Sequence, residues 1–132
     1  LLASRNLKAQ LAKGSVYDLP YESGHFDLVV SYSVFEHLHE YRKALAEVAR
    51  VLEPGGHFLL GMPSVNRMME VGFRLIGFKG INDHHVTTPA SVEQAFDSAG
   101  LRVVRSHKLD LPMRPVRLYH TWLLEKVRAG HS

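Results

Sequence analysis

Residues 26–63 read FDLVVSYSVFEHLHEYRKALAEVARVLEPGGHFLLGMP, and the order of patterns within them sets the fold class. Phe26–Tyr32 is a nearly continuous apolar run rich in β-branched residues, the mark of a strand buried on both faces of a parallel sheet. From His39 to Leu52 the apolar residues Tyr41, Ala44 or Leu45, Val48 and Val51 or Leu52 recur every three to four positions. Glu40, Arg42, Lys43, Glu47 and Arg50 fill the rest of the wheel, so this segment is an amphipathic helix. Pro54 cannot continue that helix, and Gly55-Gly56 supply the positive φ of a helix exit. HFLLGMP (57–63) then starts afresh as a second buried strand.

Working outward, LLASRNLKAQLAK (1–13) places Leu1, Ala3 or Ser4, Leu7 and Leu11 at helical spacing and stops at Gly14, which predicts a helix. GSVYDL (14–19) reads as a short strand and PYESGH (20–25) as a turn. Downstream, NRMMEVGFRLIGF (66–78) is apolar around much of a helical circumference. Thr88-Pro89 caps and starts a helix that runs to Ala99 and stops at Gly100. LRVVRSHKL (101–109) alternates as a strand. For 114–130, Val116, Tyr119, Leu123 and Val127 fit one side of a helix better than a strand, although TWLLEKV (121–127) alone fits an edge strand. No repeat or low-complexity segment interrupts the chain, and the pattern as a whole is α/β.

A chain of 132 residues with 45% hydrophobic content amounts to one soluble domain with a modest core. It lacks cysteine, which removes disulfides and thiolate metal sites and suggests a reducing cytoplasm. No apolar run approaches the roughly 20 residues that cross a bilayer. The net charge of +3 comes from scattered Lys and Arg, a distribution that argues against a nucleic-acid partner. The first residues, Leu-Leu-Ala-Ser, form no secretory leader and suggest a piece of a longer polypeptide.

In open α/β sheets ligands bind beyond the carboxyl ends of the strands. Tyr17-Asp18-Leu19-Pro20 places a carboxylate and an aromatic ring beside an extended leucine. Asp18 either begins a turn or accepts from an exocyclic amine while Leu19 borders a flat ring. Ser31-Tyr32 ends the first buried strand, offering carbonyls and a ring face. His37 follows, either as a packing residue or as a base near neutral pH. Gly61-Met62-Pro63-Ser64 ends the second strand without charge. Nine histidines invite a metal reading, but His37/His39 and His84/His85 lack helical i, i+4 spacing, so no metal site is expected. Phosphate loop, nucleophile elbow and His-Glu-x-x-His are absent as well.

Taken together, residues 14–64, with DLP before FDLVVSY and EH before RVLEPGG, resemble the second half of the class I S-adenosylmethionine-dependent methyltransferase core, of the small-molecule type. The resemblance implies a Rossmann-like sheet ordered 3-2-1-4-5-7-6. It assigns cofactor contacts to Tyr17, Asp18, Leu19, Ser31 and Tyr32, and a catalytic role near the acceptor to His37. LEPGG matches a structural turn of the family. The family's glycine-rich loop and the acid that holds the ribose have no counterpart, so the first and second strands are missing, between SVYDL and FDLVVSY. An incomplete sheet of this kind is expected to be completed by dimerisation, strand exchange or the rest of a longer chain.

On this reading residues 1–132 form a single partial domain. Residues 14–64 supply core strands and helix, 65–88 an apolar insert, and 89–132 a helix, strand and tail. The implied activity is methyl transfer from S-adenosylmethionine to a small, hydrophobic acceptor, with S-adenosylhomocysteine as product. The alternative is a truncated, inactive module with an interaction role. A nucleotide-binding dehydrogenase fragment would give no reason for LEPGG.

Overall fold

The computed structural model describes residues 7–64, 87–110 and 117–129. Strand β1 (Phe26–Tyr32) leads through a 3-10 turn (Phe35–His37) into helix α1 (Tyr41–Val51), which passes directly into strand β2 (Leu52–Pro63). Helix α2 (Pro89–Glu93), a 3-10 turn (Asp97–Ala99), strand β3 (Leu101–Asp110) and strand β4 (Arg117–Lys126) follow. The sheet runs β1-β2-β4-β3. β1 and β2 are parallel, joined by the α1 crossover, and β4 is antiparallel to both β2 and β3. This is the order expected of the family's fourth, fifth, seventh and sixth strands; among the described residues no strand flanks β1 on its other side.

The strand–helix–strand core falls where the sequence places it, with two differences: β1 is not buried on both faces, since Leu28 and Val30 are half exposed, and the joint is built otherwise. α1 ends at Val51, ahead of Pro54, because the residue before a proline is pushed out of the helical region. Pro-Gly-Gly lies inside the long β2 instead. The pairing steps from Phe26↔Leu52 to Leu28↔His57, so residues 53–56 bulge out of the ladder. Gly55 turns the bulge at φ 83, and a Cβ on Gly56 would meet the Glu53 carbonyl oxygen at 2.9 Å.

Three sequence expectations fail for physical reasons. Of the expected 1–13 helix, residues 1–6 lie outside the described residues and 7–13 form no helix; Leu11 is 96% exposed, and a short amphipathic helix that buries no face is unstable in water. SVYDL is a turn closed by a single bridge, Ser15↔Asp18, with no neighbouring strand among the described residues to pair with. The 117–126 segment is strand β4, not a helix: His120, Trp122 and Leu124 are buried in alternation, and hydrogen-bonding neighbours on both sides override the helical spacing.

The expected 88–99 helix starts as predicted, with Thr88 Oγ1 accepting from the Ser91 amide at 3.2 Å. It breaks after Glu93, and Ser98 Oγ donates to the Ala95 carbonyl at 2.9 Å, a side-chain bond that competes with the helical ladder. Gly100 ends it at φ 76. The apolar 66–78 segment lies outside the described residues.

The core occupies one side of the sheet. Phe58, Leu60, Met62, Trp122 and Leu124 pack beneath Ala44, Leu45 and Val48 of α1 and beneath Val92, Ala95 and Phe96. On the opposite side Leu28 and Val30 of β1 are half exposed. This asymmetry predicts that Phe58→Ala costs about 3–5 kcal/mol, whereas Leu28→Ala costs less than about 1 kcal/mol. Urea unfolding of the two variants measures both; equal losses would contradict the one-sided core.

Candidate cofactor site

β1 and β2 point their carboxyl ends toward Tyr32, Ser33 and Gly61, and α1 starts at that end because the chain reaches it from β1. Arg50, at the other end of α1, therefore lies near the amino ends of the strands. The segment 17–23 runs along α1 between these two levels. The Lys43 ammonium lies 5.8 Å from the Tyr17 ring, and the Leu19 amide donates to Glu47 Oε1 at 3.0 Å. Arg50 donates to the Leu19 carbonyl at 3.1 Å and to the Tyr21 carbonyl at 2.9 Å. Tyr17 is thus nearest the carboxyl end, and Asp18 is exposed below it, within electrostatic reach of Arg50.

Glu47 and Arg50 form the joint of this arrangement. Their side chains pair at i, i+3, and the Arg50 hydrogen bond is the main influence holding the Glu47 carboxyl below its ordinary value of 4.5. Burial opposes the shift, and the Leu19 amide adds to it. The same pairing raises Arg50. Sequence reading had placed both residues only on the polar arc of α1. Their opposite charges at i, i+3 were the available signal.

At the exit of β1, Ser31 is partly buried and Tyr32 is 46% exposed. Ser33 takes a left-handed backbone at φ 55. Its amide donates to the Gly61 carbonyl at 3.0 Å, and its hydroxyl is 3.0 Å from that of Tyr119. Phe35 then turns into the core, and Glu36 is buried at 2% exposure. Glu36 Oε1 lies 3.5 Å from His37 Nε2, while Oε2 has no hydrogen-bond partner among the described residues. The His37 side chain is 47% exposed. Ser33, Glu36 and Tyr119 were not among the sequence-predicted site residues, and Tyr119 is 86 positions from Ser33, beyond any local pattern.

The six predicted residues therefore form two groups. Ser31, Tyr32 and His37 share the β1 exit, and Tyr17, Asp18 and Leu19 lie along α1. No hydrogen bond joins the groups among the described residues. An open groove of about 410 Å³ bordered by Asp27, Glu53 and His57 lies at the amino end of the strands, away from both.

This chemistry suits S-adenosylmethionine in part. An exposed carboxylate (Asp18) can accept from an adenine amine, and an exposed ring (Tyr32) can face a cation. Among the described residues, the outer edge of β1 has backbone groups unmatched by any neighbouring strand.

Residues 2–60 match a methyltransferase domain family model. A "Probable S-adenosylmethionine-dependent methyltransferase" of Mycolicibacterium smegmatis is 34% identical over 61 residues, which are 46% of this chain and 24% of that protein. The matched stretch thus spans about a quarter of that relative. The crystal structure of the cyclase SpnF superposes with a TM-score of 0.75 at 13% identity, covering 97% of this chain and 60% of that one. A structure described as a SAM-dependent methyltransferase from Methanosarcina mazei gives 0.72 at 17% identity, covering 92% and 68%. At such identities the structural matches establish fold alone.

The ion pair yields a pH prediction. Glu47 has its folded value depressed, so its contribution is complete above 4.5 and is lost as pH falls through the lower folded value. Glu47→Gln is expected to melt a few degrees below the parent at pH 7, and the gap should narrow below pH 4.5. A constant gap in thermal melts across that range would contradict the pairing.

Proposed function

We propose that the chain takes part in methyl transfer from S-adenosylmethionine to a small, hydrophobic acceptor, a reading supported by the match of residues 2–60 to a methyltransferase domain family model and by the similarity to an S-adenosylmethionine-dependent methyltransferase. The observation that carries this reading is the placement of Tyr32 and Ser33 at the carboxyl end of parallel strands, where open α/β sheets bind ligands. When bound, the cofactor supplies a sulfonium methyl group open to in-line displacement.

The chain's own residues then align and enclose. Asp18 accepts from the adenine amine, Leu19 and Tyr17 border the ring, and Ser31 and Tyr32 hold the methionine portion. The rigid tie of Leu19 to α1 favours this role, because a preorganised site loses less entropy on binding. His37, exposed beside the β1 exit and neighboured by the buried Glu36, takes a proton from an acceptor that needs deprotonation. Acceptors that do not need it react by alignment and desolvation. The apolar run MMEVGFRLIGF (68–78) supports a hydrophobic acceptor, since methionines fit irregular binding surfaces.

The outer edge of β1, unpaired among the described residues, supports completion of the sheet by a second copy or by the rest of a longer polypeptide. The absence of cysteine favours the cytoplasm. The single partial domain extends over 1–132, with 65–88 as its insert. A second reading, an inactive module that binds another protein, is favoured by the half-exposed Leu28 and Val30 on the uncovered side of β1.

Calorimetric titration with S-adenosylhomocysteine separates the two. The methyltransferase reading expects binding that Asp18→Ala weakens by about tenfold, the equivalent of one hydrogen bond to a charged group. An intact fold that takes up no ligand supports the interaction module, and unaltered affinity in Asp18→Ala removes Asp18 from the site.

A further inference from the structure

Ser33 holds a backbone conformation that L-residues other than asparagine and aspartate seldom adopt. Its φ of 55 turns the chain sharply as β1 ends. Two bonds secure it: its amide to the Gly61 carbonyl at 3.0 Å, and its hydroxyl to that of Tyr119 at 3.0 Å. Tyr119 reaches it from β4, whose register sets Tyr119 opposite Pro63.

The ring of Tyr119 is itself held. It stacks on Tyr32 with centroids 6.1 Å apart and planes at 15°, and both rings lie against Gly61. A Cβ there would stand 2.3 Å from Tyr32 Cδ1 and 2.8 Å from Tyr119 Cε1. Only glycine lets the two rings lie flat on the strand. Three strands thus converge on one turn, and no element of the methyl transfer described above makes use of Tyr119.

We propose that Tyr119 is a positioning residue for cofactor binding: its hydroxyl clamps Ser33 in the left-handed conformation and so fixes the backbone of Ser31–Ser33 at the ligand end of β1. The inference rests on the methyltransferase reading, but the clamp has its own observable. Strained backbone persists at functional sites when surrounding contacts over-determine it, and here the contacts are named.

The test compares the parent chain with Tyr119→Phe, Ser33→Ala, Ser33→Gly and the Tyr119→Phe/Ser33→Gly pair. Each is titrated with S-adenosylhomocysteine, with hydrogen exchange followed at residue 33. Tyr119→Phe removes only the hydroxyl. It is expected to weaken binding by about five- to tenfold and to speed exchange at Ser33. Ser33→Ala should do the same.

Adding Ser33→Gly to Tyr119→Phe should return affinity to within about twofold of the parent, because glycine adopts positive φ without a side-chain penalty. A purely structural role for Tyr119 would not be relieved by glycine at position 33, so failure of this rescue overturns the proposal, as does parental affinity in Tyr119→Phe. If the parent itself takes up no S-adenosylhomocysteine, the methyltransferase reading fails for this chain and exchange alone judges the clamp. Faster exchange at Ser33 in Tyr119→Phe then supports it, and unchanged exchange overturns it.

Discussion

The Glu47 carboxylate, with its partner Arg50, ties the 17–23 segment to helix α1. It pairs with Arg50 along α1 and accepts the Leu19 amide, while Arg50 reaches the carbonyls of Leu19 and Tyr21. Residues 15–25 contain one isolated bridge and no strand, so their backbone groups need partners from elsewhere. α1 supplies them. Because α1 is anchored in turn by Ala44, Leu45 and Val48 in the core, the Asp18 turn inherits its position from the packed side of the sheet.

The same packing leaves the other side of the sheet open, and that asymmetry organises the carboxyl end. Val29 pairs with Phe58 on the core side, while Leu28, Val30 and Tyr32 face away. Tyr32 cannot be buried beneath a helix there, and it rests instead on Gly61 beside Tyr119. A glycine within a buried strand would ordinarily weaken it. In β2 it makes room for the rings that shape the end of β1.

Much of this was legible in the sequence where one element's own pattern decided its state. FDLVVSY and the α1 periodicity are local signals, and both elements appear where they were expected. The failures share a cause: each segment's fate was set by neighbours the local pattern does not contain. LKAQLAK has helical spacing but no surface to bury Leu11 against, and RLYHTWLLEK has apolar residues compatible with either period until β2 and β3 claim both of its edges. The site follows the same rule. Ser31, Tyr32 and His37 are candidates because they end or follow a recognisable strand. Tyr119 was missed because its partner Ser33 is distant in sequence, and Glu47 because a salt bridge on a polar face looks like any solvated pair.

The central claim is that ligand binding belongs to the carboxyl end of β1 together with the turn held on α1. Titrating the isotope-labelled chain with S-adenosylhomocysteine and following backbone amide shifts by NMR tests it most directly. The account predicts that the largest changes fall at Tyr17–Leu19 and Ser31–Ser33, with residues 55–57 at the amino end unmoved. Changes centred on the Asp27–His57 groove, with the β1 exit silent, would contradict it.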